Sequence, residues 1–260
     1  LAYWGAVDYI GESGGWPAKG WAQGAFDLSL EPKPVAWLVK SMFSDEPTVH
    51  IAIVEQLARD NVWNGVQIGT EHMSENWNRQ AGERLSLYTY TNAEKVELRL
   101  NGRSLGIREN PSQPARRNIV RWDSIAYAPG ILEAVAYTGG KEVARHRIET
   151  SGKAVKLRAD VQTAQSGDGL AMVHLTAVDG RGRKVATADD NLQLSVEGRA
   201  KVIGVCSGDI TSDEDLTGSS IRLYQGTAMV YVRLQGAVSP DKVTLTVRSD
   251  KMGTQKIRLM

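Results

Sequence analysis

Two carboxylates, Asp8 and Glu12, lie four residues apart in a tryptophan-rich stretch near the start of the chain. A pair of this kind could exchange protons with a substrate, one group acting as acid and the other as base. Paired catalytic carboxylates usually come from separate rigid elements, however, and acids in a loop are usually solvated. We therefore expect Asp8 to form hydrogen bonds near a pocket, and Glu12 to cap or solvate the loop.

A second acidic stretch alternates oxygen-bearing side chains with the spacing of a calcium-binding loop: Asp209, Thr211, Asp213 and Asp215. An EF-hand loop also requires Gly at its sixth position and a bidentate Glu at its twelfth. This chain has Glu214 and Ser220 at those positions. The stretch therefore favours a polar turn, and we expect no metal site here.

The residue types that most often bind transition metals are sparse and dispersed. Four histidines occur, with no two at ligand spacing: His50, His72, His146 and His174. Isolated histidines on strands usually have structural roles, so we expect no metal centre built on them. Cys206 is the only cysteine, which excludes an intrachain disulfide and a metal cluster built on thiolates.

Composition narrows the broad function classes. The 260 residues are 42% hydrophobic and 23% charged, a normal globular balance with enough length for two or three domains. The net charge of +1, with Lys and Arg spread along the chain, argues against a nucleic-acid partner. No apolar run approaches the roughly 20 residues of a membrane span, so we expect no membrane partner. No signal-peptide pattern opens the chain; the compartment stays open, with the periplasm or secretion favoured.

Residues 1–47 differ from the rest of the chain. A short apolar run is followed by a long loop rich in Gly, Trp and Pro. Pro34 suits the first turn of a helix, and an apolar face with helical spacing follows: Val35, Leu38, Val39 and Met42. Strand, loop and helix are the βα order of an α/β protein. One such unit cannot cover both faces of a parallel strand, so we expect the rest of that domain upstream.

From Leu85 onward, apolar residues alternate with the period of a β-strand. The secondary structure of residues 48–84 is ambiguous from sequence. Residues 49–54 fit a strand, but Ile53, Val54 and Leu57 also fit a helical turn. The many short strands indicate two consecutive antiparallel β-sandwiches. Ser151-Gly152 is the best boundary between them.

Local turn signals locate two hairpins. Asn101-Gly102 predicts a two-residue hairpin loop, and Thr138-Gly139-Gly140 predicts a second hairpin. Two tryptophans among Asn residues, Trp63 and Trp77, could form a sugar-binding surface, although packing in a core or between domains is the more common use. Trp122 lies in a strand-like run and is most simply a core residue of a sandwich.

Three stretches together carry a family resemblance: YWGAVDYIGE with WPAKGWAQGAFDLSLEPKPVAWLVKSMFSDEP, then SLYTYTNAEKVELRLNGRSLG with YAPGILEAVAY, then GVCSGDITSDED with YQGTAMVYVR. The first resembles the end of the catalytic barrel in glycoside hydrolase family 2, the β-galactosidase and β-glucuronidase family. The second is similar to the β-sandwich that follows the barrel in bacterial members, and the third to the last Ig-like domain. The resemblance covers essentially the whole chain, and the order of the motifs is more specific than any one of them.

The resemblance implies a sugar-binding role for the opening stretch. Trp4 matches the tryptophan that ends the eighth barrel strand and packs against the glycone; the alternative is a core tryptophan that closes the barrel. Active-site residues of such barrels lie at the C-terminal ends of strands, and an aromatic face suits the apolar face of a sugar. Asp8 is implied near the pocket. Trp16 and Trp21 are implied on its rim, with packing against the next domain equally open.

The resemblance also implies that the catalytic carboxylates lie elsewhere. Hydrolysis with retention needs two carboxyl groups about 5–5.5 Å apart. In this family they follow the fourth and seventh barrel strands, the first in an Asn-Glu pair, and this chain contains no Asn-Glu dipeptide. We expect both carboxylates to lie before Leu1, and residues 1–260 alone to be inactive.

One departure from the family bears on the substrate. Members that act on glucuronides carry an Asn-x-Lys element that binds the sugar carboxylate, just before the Gly that precedes the last helix. The matching positions here are Trp21, Ala22 and Gln23, before Gly24. They supply no cation, which favours a neutral hexoside such as a galactoside. Gln23 also falls where some β-galactosidases place an Asn that helps to hold a sodium ion, so that site is not expected.

The sequence therefore predicts a mainly β chain. We expect the last βα unit of a (β/α)8 barrel in residues 1–47, a β-sandwich in residues 48–150 and an Ig-like β-sandwich in residues 151–260. The parent enzyme would hydrolyse a β-galactoside with retention and without an organic cofactor, and this segment would complete the sugar pocket and support the barrel. Homo-oligomerisation through the β-domains stays open. The alternative function is a non-catalytic module, in which the sandwiches bind polysaccharide or serve as structural spacers.

Overall fold

The fold is taken from a computed structural model that describes residues 5–13, 16–56, 62–63, 66–67, 72–114, 116–163, 169–235 and 243–259. It divides into two compact units, one formed by Leu1–Glu31 together with Ser151–Met260, the other by Pro32–Thr150. The chain is mainly β, with several sheets that form β-sandwich domains, as predicted. In the described part, no helix is long and apolar enough to cross a membrane.

The N-terminal segment folds as a small antiparallel ribbon. Strands β1 (Tyr9–Ile10) and β2 (Gly20–Trp21) pair with Tyr9 opposite Trp21. The two arms approach closely, since a Cβ added at Gly20 would lie 2.0 Å from the carbonyl oxygen of Tyr9. Glycine at position 20 is therefore required by this close backbone contact.

Helix α1 (Pro34–Phe43) begins where the sequence predicts, with Pro34 in its first turn. The face that packs on the sheet, however, is rotated by one residue from the predicted one and consists of the buried Pro34 and Ser41 with the half-buried Trp37 and Leu38. Leu38 is common to both faces, whereas Met42 of the predicted face is 52% exposed. The difference arises because Trp37 packs with Leu38 against the sheet, and a tryptophan buries more apolar area than the residues it displaces.

The described residues of the unit Pro32–Thr150 form α1 and ten strands: β3 (Val49–Gln56), β4 (Val62–Trp63), β5 (Val66–Gln67), β6 (His72–Ser74), β7 (Arg84–Thr91), β8 (Lys95–Leu100), β9 (Arg103–Glu109), β10 (Ile119–Ala126), β11 (Ile131–Thr138) and β12 (Lys141–Glu149). Two four-stranded antiparallel sheets form the sandwich, in the orders β10-β7-β3-β6 and β12-β11-β8-β9. A separate two-stranded pair joins β4 to β5. The ambiguous run at 49–54 is thus a strand, buried between β6 and β7.

Both predicted hairpins are confirmed. Leu100 pairs with Arg103 across Asn101-Gly102, whose φ angles of 52° and 80° are both positive. Thr138 pairs with Lys141 across Gly139-Gly140, where both φ angles are again positive. Two successive positive φ angles identify the turn type whose twist matches that of the flanking strands.

Aromatic residues fill the core of this unit. Trp77 and Trp122 are each 1% exposed, and the Trp77 ring meets Tyr127 edge to face at 5.2 Å between ring centroids. The indole N–H of Trp122 donates to the Thr89 hydroxyl at 3.1 Å, which satisfies the polar end of a buried ring. Trp122 is therefore a core residue, as predicted, and Trp77 has a packing role. The side chain of Trp63 lies outside the described residues.

In the part of the second sandwich that the structure describes there are eight strands: β13 (Lys156–Thr163), β14 (Leu170–Val178), β15 (Asn191–Glu197), β16 (Ala200–Cys206), β17 (Ser220–Arg222), β18 (Thr227–Leu234), β19 (Thr244–Ser249) and β20 (Gly253–Arg258). They form two antiparallel sheets, in the orders β13-β14-β18-β16 and β17-β15-β19-β20. Small and branched apolar residues from both sheets form one core, including Leu175, Leu192 and Leu245.

Candidate functional site

Of the four residues proposed for sugar binding, Asp8, Trp16 and Trp21 belong to the N-terminal ribbon, and Trp4 lies outside the described residues. Asp8 is 5% exposed. Its Oδ1 accepts the backbone N–H of Gly24 at 2.8 Å, and its own N–H donates to the Phe26 carbonyl at 2.9 Å. A Cβ at Gly24 would lie 2.6 Å from the Asp8 nitrogen, so this contact again requires glycine.

The two rim tryptophans differ in exposure. Trp21 on β2 is half-buried and pairs with Tyr9, the residue next to Asp8. Trp16 lies in the loop before β2 and is 78% exposed. A large aromatic ring in water is costly unless something covers it, so Trp16 is a candidate for contact with a ligand or another domain.

Lys19 connects the ribbon to the second sandwich, within the same compact unit. Its backbone N–H donates to the Ile210 carbonyl at 3.1 Å, and its Nζ donates to the Ser212 carbonyl at 2.7 Å and forms an ion pair with Asp213. The Nζ also lies 5.8 Å from the centroid of the Trp16 ring, within the range of a cation–π contact. Sequence reasoning missed Lys19, because its partners lie more than 190 residues away.

Glu12 has a local partner. The Tyr9 hydroxyl donates to Glu12 Oε2 at 2.7 Å, and the pair is exposed. This hydrogen bond agrees with the expectation that Glu12 caps the loop or keeps it solvated.

A buried acid shapes the loop after the ribbon. Asp27 Oδ1 accepts the backbone N–H groups of Ser29 at 2.8 Å and Glu31 at 3.0 Å. Burial raises the pKa of Asp27, although these hydrogen bonds act in the opposite direction. A Cβ at Gly208 would lie 2.0 Å from Asp27 Oδ2, so this loop packs directly on the second sandwich.

Glu31 makes an ion pair with the same sandwich. Its carboxylate pairs with Lys184, and its Oε2 lies 3.2 Å from His174 Nε2. Burial alone would raise the pKa of Glu31, but the hydrogen bonds and charges of His174 and Lys184 outweigh it and lower the pKa to about 2. His174 thus has the structural role expected of it.

The acidic stretch with calcium-like spacing forms a series of side-chain turns. Asp209 Oδ1 accepts the backbone N–H of Thr211 at 2.9 Å, and Asp215 Oδ1 accepts that of Thr217 at the same distance. Asp213 is paired with Lys19 instead. These hydrogen bonds are those of the predicted polar turn.

Two histidines that sequence reasoning treated as isolated lie in contact. The rings of His50 and His146 stack with centroids 3.9 Å apart, and Trp37 stacks on the other face of His50 at 4.6 Å. His50 Nε2 lies 2.6 Å from Glu75 Oε1. Sequence spacing could not have revealed this cluster, because His146 lies 95 residues from Ile51, whose N–H it contacts next to His50.

The set His50, Glu75 and His146 has the donor types of a zinc site, with ligand atoms within 4.8 Å of one another. Its hydrogen bonds favour a structural role. The backbone N–H of Ile51 donates to His146 Nδ1 at 3.1 Å, so the neutral ring carries its proton on Nε2 and has no second lone pair for a metal. Burial and the nearby His50 lower the pKa of His146 to about 4, which Glu75 partly offsets.

Comparison with protein-family models gives two matches. The model described as glycoside hydrolase family 2 C-terminal domain 5 matches residues 155–258. A second model, described as a domain of unknown function, matches residues 82–144.

Curated relatives extend over nearly the whole chain. A protein named β-galactosidase from Bacteroides ovatus is 27% identical over 98% of this chain and 28% of its own length. A protein named putative β-glucuronidase from Formosa agariphila is 24% identical over 99% of this chain and 25% of its own length. The chain therefore spans about a quarter of the length of these relatives.

Solved structures agree in fold. A glycosyl hydrolase family 2 member from Bacteroides cellulosilyticus superposes with a TM-score of 0.87 at 28% identity, over 98% of this chain and 35% of that one. A β-glycosidase from Bacteroides vulgatus superposes with a TM-score of 0.77 at 24% identity, over 98% of this chain and 30% of that one, and supports the fold alone. Together with the ordered motifs, these matches show that the chain is similar to the C-terminal portion of glycoside hydrolase family 2 members and that residues 155–258 match a C-terminal domain of that family.

Proposed function

We propose that the chain is part of a retaining β-galactosidase and that it completes the sugar pocket of that enzyme. The relative from Bacteroides ovatus, which is named β-galactosidase, supports this substrate. The relative from Formosa agariphila is named for glucuronides, so the family alone does not select the sugar. The proposal places both catalytic carboxylates outside residues 1–260.

The observation that carries the substrate class is that residues 21–23, the positions that match the Asn-x-Lys element, include no cation. A glucuronide brings a carboxylate into the pocket, and a buried carboxylate needs a charged partner. Residues 21–23 are Trp21, Ala22 and Gln23, and none of them can pair with an anion. A neutral hexoside has no such requirement.

The roles proposed for individual residues are those that the family resemblance implies. Trp4 stacks on the glycone, and Asp8, held by Gly24, hydrogen-bonds near the pocket. Trp16 and Trp21 form the rim. Residues 1–47 close the catalytic barrel, which also covers the exposed apolar side chains of α1: Met42 and Phe43, 52% and 67% exposed.

The test uses the full-length enzyme with aryl β-galactoside and aryl β-glucuronide. We expect kcat/KM to be at least about tenfold higher for the galactoside, because hydrogen bonds to a charged group are each worth about 1.5–3 kcal/mol and the glucuronide lacks them here. The first-formed anomer, followed by NMR, should be β. A preference for the glucuronide would overturn the proposal.

A matched variant sharpens the test. Trp21→Asn combined with Gln23→Lys introduces the Asn-x-Lys element of glucuronide-cleaving members. We expect the double variant to raise kcat/KM for the glucuronide relative to the galactoside. The control is Lys33→Gln, which lies outside these positions. It should leave the ratio of the two kcat/KM values unchanged.

A further inference from the structure

Arginine is concentrated in one segment of the unit Pro32–Thr150. Residues 103–123 contain no lysine, two acids (Glu109 and Asp123) and five arginines: Arg103, Arg108, Arg116, Arg117 and Arg121. The net charge of the whole chain is only +1, so the surplus of three positive charges in this segment is a local feature. All five arginines are exposed.

The fold places these arginines along one edge of the sandwich. Strand β9 is the edge strand of one sheet, and β10 is the edge strand of the other. Arg108 on β9 bridges the two strands, because its Nη1 donates to the Arg121 carbonyl on β10 and its guanidinium carbon lies 4.8 Å from the centroid of the Trp122 ring. The two edge strands therefore face each other on the same side of the sandwich.

The loop between β9 and β10 adds Arg116 and Arg117 to this edge. Its ends are joined by a hydrogen bond from the Asn118 N–H to Asn110 Oδ1 at 2.9 Å, and the Asn118 side chain donates to the Ser41 carbonyl at 2.9 Å. Asn118 is buried. The two arginines directly precede this anchored residue, so the loop is held in place while their side chains stay exposed.

Most of the positive charge at this edge is not neutralised by neighbouring acids. Within the described part of the chain, Arg103, Arg116 and Arg117 form no ion pair. Arg121 pairs with Asp123 at 2.7 Å, but both side chains are more than half exposed, and exposed pairs of this kind are weak. A guanidinium is always charged and can donate two parallel hydrogen bonds to an oxyanion. The edge is therefore suited to binding anionic groups.

The length of the edge indicates an extended anion. Arg103 and Arg108 are five residues apart on β9, which corresponds to roughly 16 Å at about 3.3 Å per residue. Charges spread over this distance can contact several anionic groups of one polymer, and each contact contributes through the release of counterions. A single small anion would contact one or two of them.

The apolar residues of the edge bear on the kind of polymer. Trp122 is the only aromatic residue between positions 103 and 123, and it is buried beneath Arg108. The exposed apolar residues of β9 are aliphatic, Leu105 and Ile107. Single-stranded nucleic acids are bound largely by stacking of their bases on exposed aromatic rings, which this edge does not offer. A polyanion without bases fits it better.

We propose that this arginine edge, defined by Arg103, Arg108, Arg116, Arg117 and Arg121, binds an acidic polysaccharide whose sugar units carry sulfate or carboxylate groups. The choice of a polysaccharide rests on the proposed function as a glycosidase. That function requires a neutral sugar at the cleaved bond, whereas the arginine edge contacts acidic groups on other units of the polymer. Attachment through a second surface raises the effective concentration of the polymer at the enzyme.

The direct test is a calorimetric titration of residues 1–260 with a sulfated galactan, a polygalacturonate and a neutral galactan of equal length, and with a DNA duplex of matched charge. We expect at least one acidic polysaccharide to bind at least about tenfold more tightly than the neutral galactan and the duplex, and the tighter of the two identifies the acidic group. Its affinity should fall by at least about tenfold between 50 and 200 mM salt, because about three counterions are released.

Variants of the exposed loop separate the arginine edge from net charge. Arg116→Gln combined with Arg117→Gln should weaken binding of the acidic polysaccharide by about tenfold and reduce the slope of log affinity against log salt by about two, one for each lost contact. The matched control is Arg158→Gln combined with Arg248→Gln, which removes two exposed arginines of the second sandwich. It should leave both quantities unchanged. Thermal unfolding of each variant checks that the fold is intact.

Three results would overturn the proposal: no binding of either acidic polysaccharide, equal weakening by the loop variant and the control, or binding of the neutral galactan as tight as that of the acidic ones. A duplex that binds as tightly as the acidic polysaccharides would assign the arginine edge to nucleic acid and would also overturn it. The titration needs no turnover. A full-length enzyme that prefers the glucuronide would refute the proposed function, whereas a chain that binds no acidic polysaccharide would refute this surface.

Discussion

At the scale of single residues, two tryptophans of this chain differ sharply in environment. Trp122 is buried against Thr89 in a sandwich core, and the guanidinium carbon of Arg108 lies 4.8 Å from its ring centroid. Trp16 is largely exposed. The exposed fraction of a tryptophan side chain, rather than the residue type, therefore distinguishes a packing residue from a candidate for ligand contact.

Trp4 and Trp122 provide a paired test of this distinction in the full-length enzyme. Trp4→Ala should lower kcat/KM by about one to two orders of magnitude, because burial of an aromatic ring is worth about 1.5–3 kcal/mol and each 1.36 kcal/mol is tenfold in rate. Trp122→Ala should lower stability by about 3–5 kcal/mol, as for other large-to-small core changes, with kcat/KM of the folded enzyme nearly intact. The measurements are Tm and kcat/KM for both variants. If Trp4→Ala lowered only the stability of the enzyme, Trp4 would be a core residue and not a contact of the glycone.

His146 predicts a pH dependence of stability. Its pKa is lowered from 6.5 to about 4 in the folded state, so between these values the unfolded chain binds the proton and the folded chain does not. Stability therefore falls as the pH decreases through this window. We expect about 1–2 kcal/mol to be lost between pH 7 and pH 5 from this group.

Urea unfolding at the two pH values measures this loss. His146→Asn keeps an acceptor for the Ile51 N–H but cannot titrate, so its stability should change less between pH 7 and pH 5 than that of the unmodified chain. Equal losses in the two proteins would show that His146 does not carry the effect. The nearby charged and titratable groups are His50, Glu75 and Lys40, the last above the Trp37 ring that stacks on His50; they are unchanged in the variant.

At the scale of elements, short-range chemistry determines the hairpins. Gly102 has a φ of +80° with nothing within 4 Å of an added Cβ, whereas Gly180 is equally open but has no positive φ. The two positions therefore differ in backbone conformation but not in the room available for an added Cβ. Alanine substitution at both positions is therefore a controlled comparison.

Gly102→Ala should destabilise the chain by about 1–2 kcal/mol, because an L-residue resists the left-handed region. Gly180→Ala should be neutral or slightly stabilising, because alanine restricts the unfolded chain. Thermal or urea unfolding of both variants is the measurement. The same change in stability at both positions would contradict the role assigned to the Asn101-Gly102 turn.

At the scale of the whole molecule, each compact unit has its own core. The clustered core side chains of the second sandwich all lie between Ala154 and Leu259. Its first hydrogen bond to the linker is from the Gly152 N–H to Asp179 Oδ2, at 2.8 Å. A fragment that begins at Ser151 keeps this bond.

Residues 151–260 should therefore fold alone and unfold in one cooperative transition, since about 110 residues with a continuous core suffice for a stable domain. The fragment loses the Glu31 ion pairs with His174 and Lys184, so we expect it to melt at a lower temperature than the same unit in the full chain. Calorimetry and circular dichroism measure both effects. An insoluble or non-cooperative fragment would show that the N-terminal segment is essential to this core.

The features that depend on near neighbours could be predicted from the sequence. Pro34 and the turn residues at 101–102 and 139–140 locate a helix start and two hairpins, because proline and glycine restrict or free the backbone wherever they occur. Strand periodicity similarly predicts two sandwiches. The ordered motifs carried the family resemblance, since they are properties of the chain and not of its packing.

Contacts between residues that are distant in sequence could not be predicted and were found in the folded chain. The stacking of His50 on His146, the ion pair of Lys19 with Asp213 and the one-residue rotation of the buried face of α1 depend on which strands become neighbours and in what register. Residue spacing does not encode this order, because a contact across a sheet or between a loop and a sheet has no fixed sequence period.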